Sequence, residues 1–230
     1  MSKDSRFDPH NFFFSGFSYG GGHAHYLFED LKFTSQHSWA AIVAAEPSCN
    51  AFFEAKKYTT PLLTIKGGES HYEPRPCEIL TTLYQDKGTD ATLIVYPKSN
   101  HHFSHNGKIT KGLAFNGCPD NPVIMQANGT WTFLNGEEAN RKIAGKRCMT
   151  KTSGSGRSRE DLDLAIDATL KFFKEKIKDY NSDKSFKIFK ATVFSIRNEA
   201  LPKATPGWLI TDVEDIDWIG EVFNEEPELF

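Results

Sequence analysis

The sequence predicts an α/β fold: a parallel sheet with helices on its faces. Three observations carry this. Four short apolar runs alternate with helix-like segments between residues 11 and 97, as strand-helix-strand units require. One of them, Trp39 to Ala45, is apolar without interruption, which suits a strand covered on both faces. Residues 158–179 repeat apolar side chains at three- and four-residue steps, the signature of an amphipathic helix lying on such a sheet.

In chain order, Asn11 to Tyr19 reads as a strand running into a tight turn, because Phe12, Phe13, Phe14 and Phe17 precede a glycine-flanked serine. After Gly20-Gly21-Gly22 a helix is expected, with Ala24, Tyr26, Leu27 and Leu31 on its packed face. The Trp39 run stops at Glu46-Pro47. A third strand begins at Pro61 and breaks at Gly67-Gly68. Cys77 to Gly88 reads as a helix closed by a C-cap glycine, and Ala91 to Pro97 as the fourth strand. Residues 104–157, rich in Gly, Asn and Pro, read as a long loop excursion with a small hairpin around Trp131 and Phe133, and Thr152 to Ser158 as a flexible approach to the last helix. On that helix Leu162, Ala165, Ile166, Leu170, Phe173 and Ile177 share a face. The expected organisation is a main domain over residues 1–180. A C-terminal extension over 181–230 follows, acidic and carrying Trp208, Trp218 and Phe223, either as an add-on or as a partly ordered tail.

With 27 basic and 30 acidic side chains and a net charge of −3, the 230-residue chain is no strongly basic nucleic-acid binder and no polybasic membrane-surface protein. No run approaches the roughly 18 apolar residues of a membrane span. Met1 is followed by Ser-Lys-Asp-Ser-Arg-Phe-Asp rather than an apolar signal core, so a cytoplasmic protein is expected, with a secreted or periplasmic one open if a leader has been lost. Cys49, Cys77, Cys118 and Cys148 have no C-x-x-C spacing and are too sparse for a disulfide scaffold; free or buried thiols are expected over one or two disulfides, the alternative being a Cys118–Cys148 bond that closes the excursion and implies an oxidising compartment. His101, His102 and His105, and His23 with His25, lack carboxylate or cysteine companions at ligand spacing, so no metal and no cofactor are expected.

Gly16-Phe17-Ser18-Tyr19-Gly20 fits G-x-S-x-G at a predicted strand-to-helix junction. There a serine is held on a sharp turn, and the flanking glycines let neighbouring chain approach where a Cβ would block it. Composition alone produces the pattern in on the order of one chain in ten, so the strand-turn-helix context gives it weight. A nucleophilic serine needs a base, and Tyr96-Pro97-Lys98-Ser99-Asn100-His101-His102-Phe103 offers two histidines directly after the fourth strand.

These motifs resemble the dienelactone hydrolase family of α/β-hydrolases. Phe7-Asp8-Pro9-His10-Asn11 stands where that family has Asp-Pro-Arg-Ile, and Gly16 to Gly21 matches its elbow. Glu46-Pro47-Ser48-Cys49 parallels its Tyr-Pro-Ser-Cys, Gly67 to Pro74 its acid-bearing turn, and Tyr96-Pro97 with His101 and Phe103 its histidine motif. The resemblance covers residues 7 to about 178. It implies an α/β-hydrolase-like sheet and a carboxylic ester or lactone hydrolase. Ser18 would be the nucleophile, where the founding enzymes use cysteine, His101 rather than His102 the base, and the Tyr19 N–H an oxyanion donor.

Two departures shape the expectations. The family's aspartate position holds Ser70, so a displaced carboxylate must orient the histidine; Glu46, at the end of the preceding strand, is preferred over Glu69. Only 17 residues precede Ser18, whereas several strands precede the elbow in this fold, and one of their loops donates the second oxyanion N–H. The first strands are therefore expected to be lacking, with a fragment, a homo-oligomer or a partner chain covering the open sheet edge. The competing expectation is a catalytically degenerate hydrolase-fold module that binds another chain through that edge.

Overall fold

A computed structural model describes residues 11–29, 39–101, 107–157 and 159–177. The elements are β1 (Phe13–Phe17), α1 (Tyr19–Glu29), β2 (Ala41–Ala45), β3 (Ala51–Phe53), β4 (Leu62–Gly67), α2 (Arg75–Asp86) and β5 (Ala91–Tyr96). They continue with β6 (Gly107–Ala114), β7 (Val123–Met125), β8 (Trp131–Phe133), β9 (Glu138–Ala139), α3 (Arg141–Cys148), β10 (Thr150–Arg157) and α4 (Arg159–Glu175). Two compact units divide the chain at Lys178 and Asp179. The extension expected over 181–230 lies outside the described residues, as do Leu31, His102 and His105.

The central sheet has the order β1-β2-β4-β5, and every pair is parallel. Phe13 to Phe17 align with Ala41 to Ala45, Ile42 with Leu62, and Leu62 with Ala91, so all four strands end on the same side. The fold is thus the expected mixed α/β arrangement, with β1 at one edge of this sheet among the described residues. Every residue of β2 is buried because helices cover both faces. Ile42 and Ala44 point to a cluster with Ala24, Phe28, Leu80 and Tyr84 from α1 and α2. Ala41, Val43 and Ala45 point the other way, to Ala165 and Phe172 of α4. Strand alternation of side chains makes one apolar run serve two cores.

Several expectations change here. On α1 the packed face carries Ala24, His25 and Phe28, while Tyr26 is exposed, because the helix begins at Tyr19 and its phase follows from that start. On α4, Ala165 and Phe172 are the buried positions, with Leu162, Ala168 and Phe173 beside them. The excursion is far more regular than its composition suggested. β3, β7, β8 and β9 form a second sheet around a small core of Val123, Phe133, Ala139 and Ala144, and Asn140 caps α3 by accepting from the Ile143 N–H at 2.9 Å. The stretch read as a flexible approach is β10, paired antiparallel with β6. Short strands with polar alternation escape a reading based on apolar runs, since ladder partners distant in sequence hold them.

The expectation of free thiols is also corrected. Cys49 is bonded to Cys77 and Cys118 to Cys148. The first bond ties the segment after β2 to the start of α2, and the second closes the small core beside α3. Linear spacing carried no sign of the Cys49–Cys77 pairing, which bridges elements that meet only in the fold, whereas Cys118–Cys148 is the alternative closure of the excursion. No helix among the described residues is long and apolar enough to cross a membrane.

Candidate active site

Because spatial order in the sheet follows chain order, the four strand ends form one row. Ser18 follows β1, Glu46 follows β2, Lys66 and Gly67 close β4, and His101 follows β5. Ser18 has φ +54° and Glu46 φ +52°, both in the left-handed region that non-glycine residues rarely adopt. Two neighbouring turns therefore hold side chains in costly conformations, an arrangement typical of functional sites. Backbone bonds brace them: the Ser18 N–H donates to Ala45 O at 2.8 Å and the Glu46 N–H to Ile65 O at 2.7 Å.

The glycines around Ser18 answer to close approach. A Cβ on Gly16 would lie 2.0 Å from Gly20 O, and one on Gly21 would lie 2.4 Å from Ala45 O. Both contacts are with backbone, which cannot swing aside, so Gly16 and Gly21 answer to a steric requirement, whereas the expectation fails at Gly20, where a Cβ would meet nothing within 4 Å.

Ser18 Oγ lies 2.8 Å from His101 Nε2, and His101 Nδ1 lies 2.9 Å from Glu46 Oε2. Glu46 Oε2 also accepts from Ser70 Oγ at 2.7 Å and from Lys66 Nζ at 2.8 Å, while Oε1 accepts from the Gly67 N–H. Burial pushes the Glu46 carboxyl up, but the Lys66 ammonium and the hydrogen bond and charge of His101 outweigh it and hold the carboxyl below its ordinary value. An ionised Glu46 can only accept, so His101 carries its proton on Nδ1 and turns the Nε2 lone pair to the Ser18 hydroxyl. Burial lowers the His101 pKa and Lys66 adds to this, against the opposing pull of Glu46. A neutral imidazole aimed at a serine hydroxyl can take its proton as the oxygen attacks an electrophile.

The structure brings Ser18, His101 and Glu46 together and leaves Glu69 outside. Glu69 is exposed; its backbone N–H donates to Ser99 O at 2.9 Å, and the turn carries the side chain to solvent. Tyr19 is the first residue of α1, where a backbone N–H has no acceptor within the helix, and its side chain is exposed. His23 and His25 diverge: His23 is exposed and meets the Tyr19 ring at 4.5 Å, while His25 is buried against Thr64 Oγ1 at 3.3 Å, its pKa driven down to about 4 by burial and by Lys66.

Sequence reasoning missed Lys66 and His71. Lys66 is fully buried in a strand that is apolar apart from Thr64, and a lone lysine in such a run is itself a sign of a buried carboxylate nearby. His71 is buried with its ring 4.4 Å from that of His101, and burial, then the His101 and Lys66 charges, lower its pKa to about 4. Over these residues lies the β6-β10 ribbon: the His101 N–H donates to Gly154 O at 2.8 Å, and a Cβ on Gly112 would strike the His71 ring.

No family model matches this chain, and no curated protein is recognisably similar to it. Among solved structures it is similar to a protein from Klebsiella pneumoniae subsp. pneumoniae assigned as a dienelactone hydrolase, with TM-score 0.42 and 14% identity over 73% of this chain and 53% of that one. It is also similar to an acylaminoacyl peptidase from Pyrococcus horikoshii, with TM-score 0.37 and 15% identity over 44% and 21%. A third is an acylaminoacyl peptidase in complex with Z-Gly-Gly-Phe-chloromethyl ketone, with TM-score 0.38 and 16% identity over 46% and 22%. The chain spans about half the length of the first of these.

Proposed function

We propose that the protein is a serine hydrolase of carboxylic esters or lactones. The observation that carries this reading is the Ser18–His101–Glu46 relay, with links of 2.8 and 2.9 Å, launched from a left-handed serine between glycines. In the proposed reaction Ser18 Oγ attacks the acyl carbon and its proton passes to His101 Nε2. The imidazolium so formed is stabilised by Glu46. The oxyanion takes the Tyr19 N–H as one donor. Collapse of the tetrahedral intermediate expels the alcohol, which receives the proton from Nε2, and water then releases the acid by the same route in reverse. Acyl transfer to water needs only a nucleophile, a base and hydrogen-bond donors, so the reaction calls for no cofactor.

Labelling by a fluorophosphonate, beside turnover of p-nitrophenyl esters and of an aliphatic lactone, tests the reading. Label should attach to the native chain and vanish in Ser18→Ala and His101→Ala. A folded native chain that neither labels nor turns over would overturn it and favour the non-enzymatic module, for which the specific support is β1 at the edge of the central sheet among the described residues. Light scattering on the same sample reads whether a second copy occupies that edge. Two disulfides favour an oxidising compartment over the cytoplasm, and a thiol count on natively purified protein checks it.

A further inference from the structure

We propose that Lys66 is the positioning residue of this site: its buried ammonium, donating to Glu46 Oε2 at 2.8 Å and to the Pro47 carbonyl at 3.2 Å, holds the carboxylate where it reaches His101 Nδ1. This rests on the roles given above to Ser18, His101 and Glu46, and adds a fourth member to them.

Three features of the geometry converge. Lys66 sits in β4, whose residues are all buried, and its side chain is fully inaccessible to solvent. Burial lowers the Lys66 pKa, and the charge and hydrogen bond of Glu46, equally inaccessible, oppose that, since an ammonium there is tolerated only when paired. Lys66 also grips two successive residues, the side chain of Glu46 and the carbonyl of Pro47, and so braces the turn in which Glu46 holds φ +52°. Finally, among the described residues Glu46 Oε2 is shared by three donors, and of these only Lys66 is a cation independent of the proton that His101 would exchange in the proposed reaction.

The charge has a consequence for His101. A carboxylate beside an imidazole invites a second proton, which would remove the Nε2 lone pair that Ser18 needs; a cation on the same carboxylate opposes that proton. Among the described residues, the titratable side chains beside His101 include His71 and Tyr72 from the turn after β4, with rings 4.4 and 4.9 Å away, and the Lys66 charge also acts on His25 of α1. Burial lowers both His71 and His25 to about 4, so above about pH 5 neither adds charge. In that range the charges among the described residues that act on His101, beside its burial, are those of Glu46 and Lys66.

Histidine-ring NMR titration of the native chain, Lys66→Met and Lys66→Gln tests this without relying on turnover. The His101 pKa should rise by about one pH unit when the cation is removed. The acidic limb of kcat/KM for an aryl ester should move up by the same amount. A folded Lys66→Met or Lys66→Gln whose His101 titration is unmoved overturns the proposal, even if kcat falls, because a rate loss alone marks a packing role. Should neither variant fold, the Lys66 Nζ resonance of the native chain decides: an ammonium at pH 7 supports the proposal and a neutral amine overturns it. A native chain that turns over no ester would remove the hydrolase reading while leaving these titrations to judge Lys66.

Discussion

Replacing Glu46 by glutamine keeps the shape of the side chain and removes the charge on which the site converges. The carboxylate accepts from His101, Ser70 and Lys66 on Oε2 and from the Gly67 N–H on Oε1, so both oxygens meet donors. A carboxamide has one oxygen and one NH2 group. With the NH2 at the Oε2 position it opposes three donors, and with it at the Oε1 position it opposes the Gly67 N–H. Lys66 is left buried without a counter-charge in either case, and breaking a buried pair from one side costs roughly 3–5 kcal/mol. For a domain of this size that lowers Tm by about 10 °C. The imidazole loses its tautomer control as well, and the equivalent change in Ser-His-Asp triads lowers kcat by about 10⁴. Burst kinetics with p-nitrophenyl acetate measure acylation, and a thermal melt measures stability. Glu69→Gln is the comparison, expected to keep acylation within about twofold because that side chain is exposed. Acylation by Glu46→Gln within tenfold of the native rate, or an equal loss in Glu69→Gln, would refute the assignment of the acid.

Three further outcomes are expected. Gly16→Ala places a methyl 2.0 Å from the Gly20 carbonyl, so the elbow must move; fluorophosphonate labelling should be lost and stability fall by about 2 kcal/mol or more, read by labelling and by urea unfolding. Cys49→Ala with Cys77→Ala opens a closure between residues 28 apart and should cost about 3–4 kcal/mol by chain entropy, with the urea midpoint as readout; retention of the native midpoint would mean that the bond adds nothing. His25 binds its proton near pH 6.5 when unfolded and only at about 4 when folded, so acid favours unfolding between those values. Native stability should therefore fall as pH drops from about 6.5 to 4, by roughly 3 kcal/mol from this group, and His25→Asn should flatten that part of the urea-midpoint profile.

By itself the sequence determined the central sheet, the tight turn at Ser18 and the place of His101 after the last strand of that sheet. The uninterrupted apolar run of β2 can be stable only when covered on both faces, the glycines at 16 and 20 bracket a serine at a strand-helix junction, and His101 follows the last strand of the sheet. Each is local, written in neighbouring residues whose period or sterics leave few conformations. Glu46 against Glu69 was decided only by the tertiary structure, since the choice depends on which strand ends lie side by side and on a left-handed turn at a glutamate that composition does not announce. Lys66, His71, the Cys49–Cys77 bond and the β6-β10 ribbon were likewise beyond linear reading. All join residues distant in the chain, and their geometry exists only once the parallel register has set the four strand ends in a row.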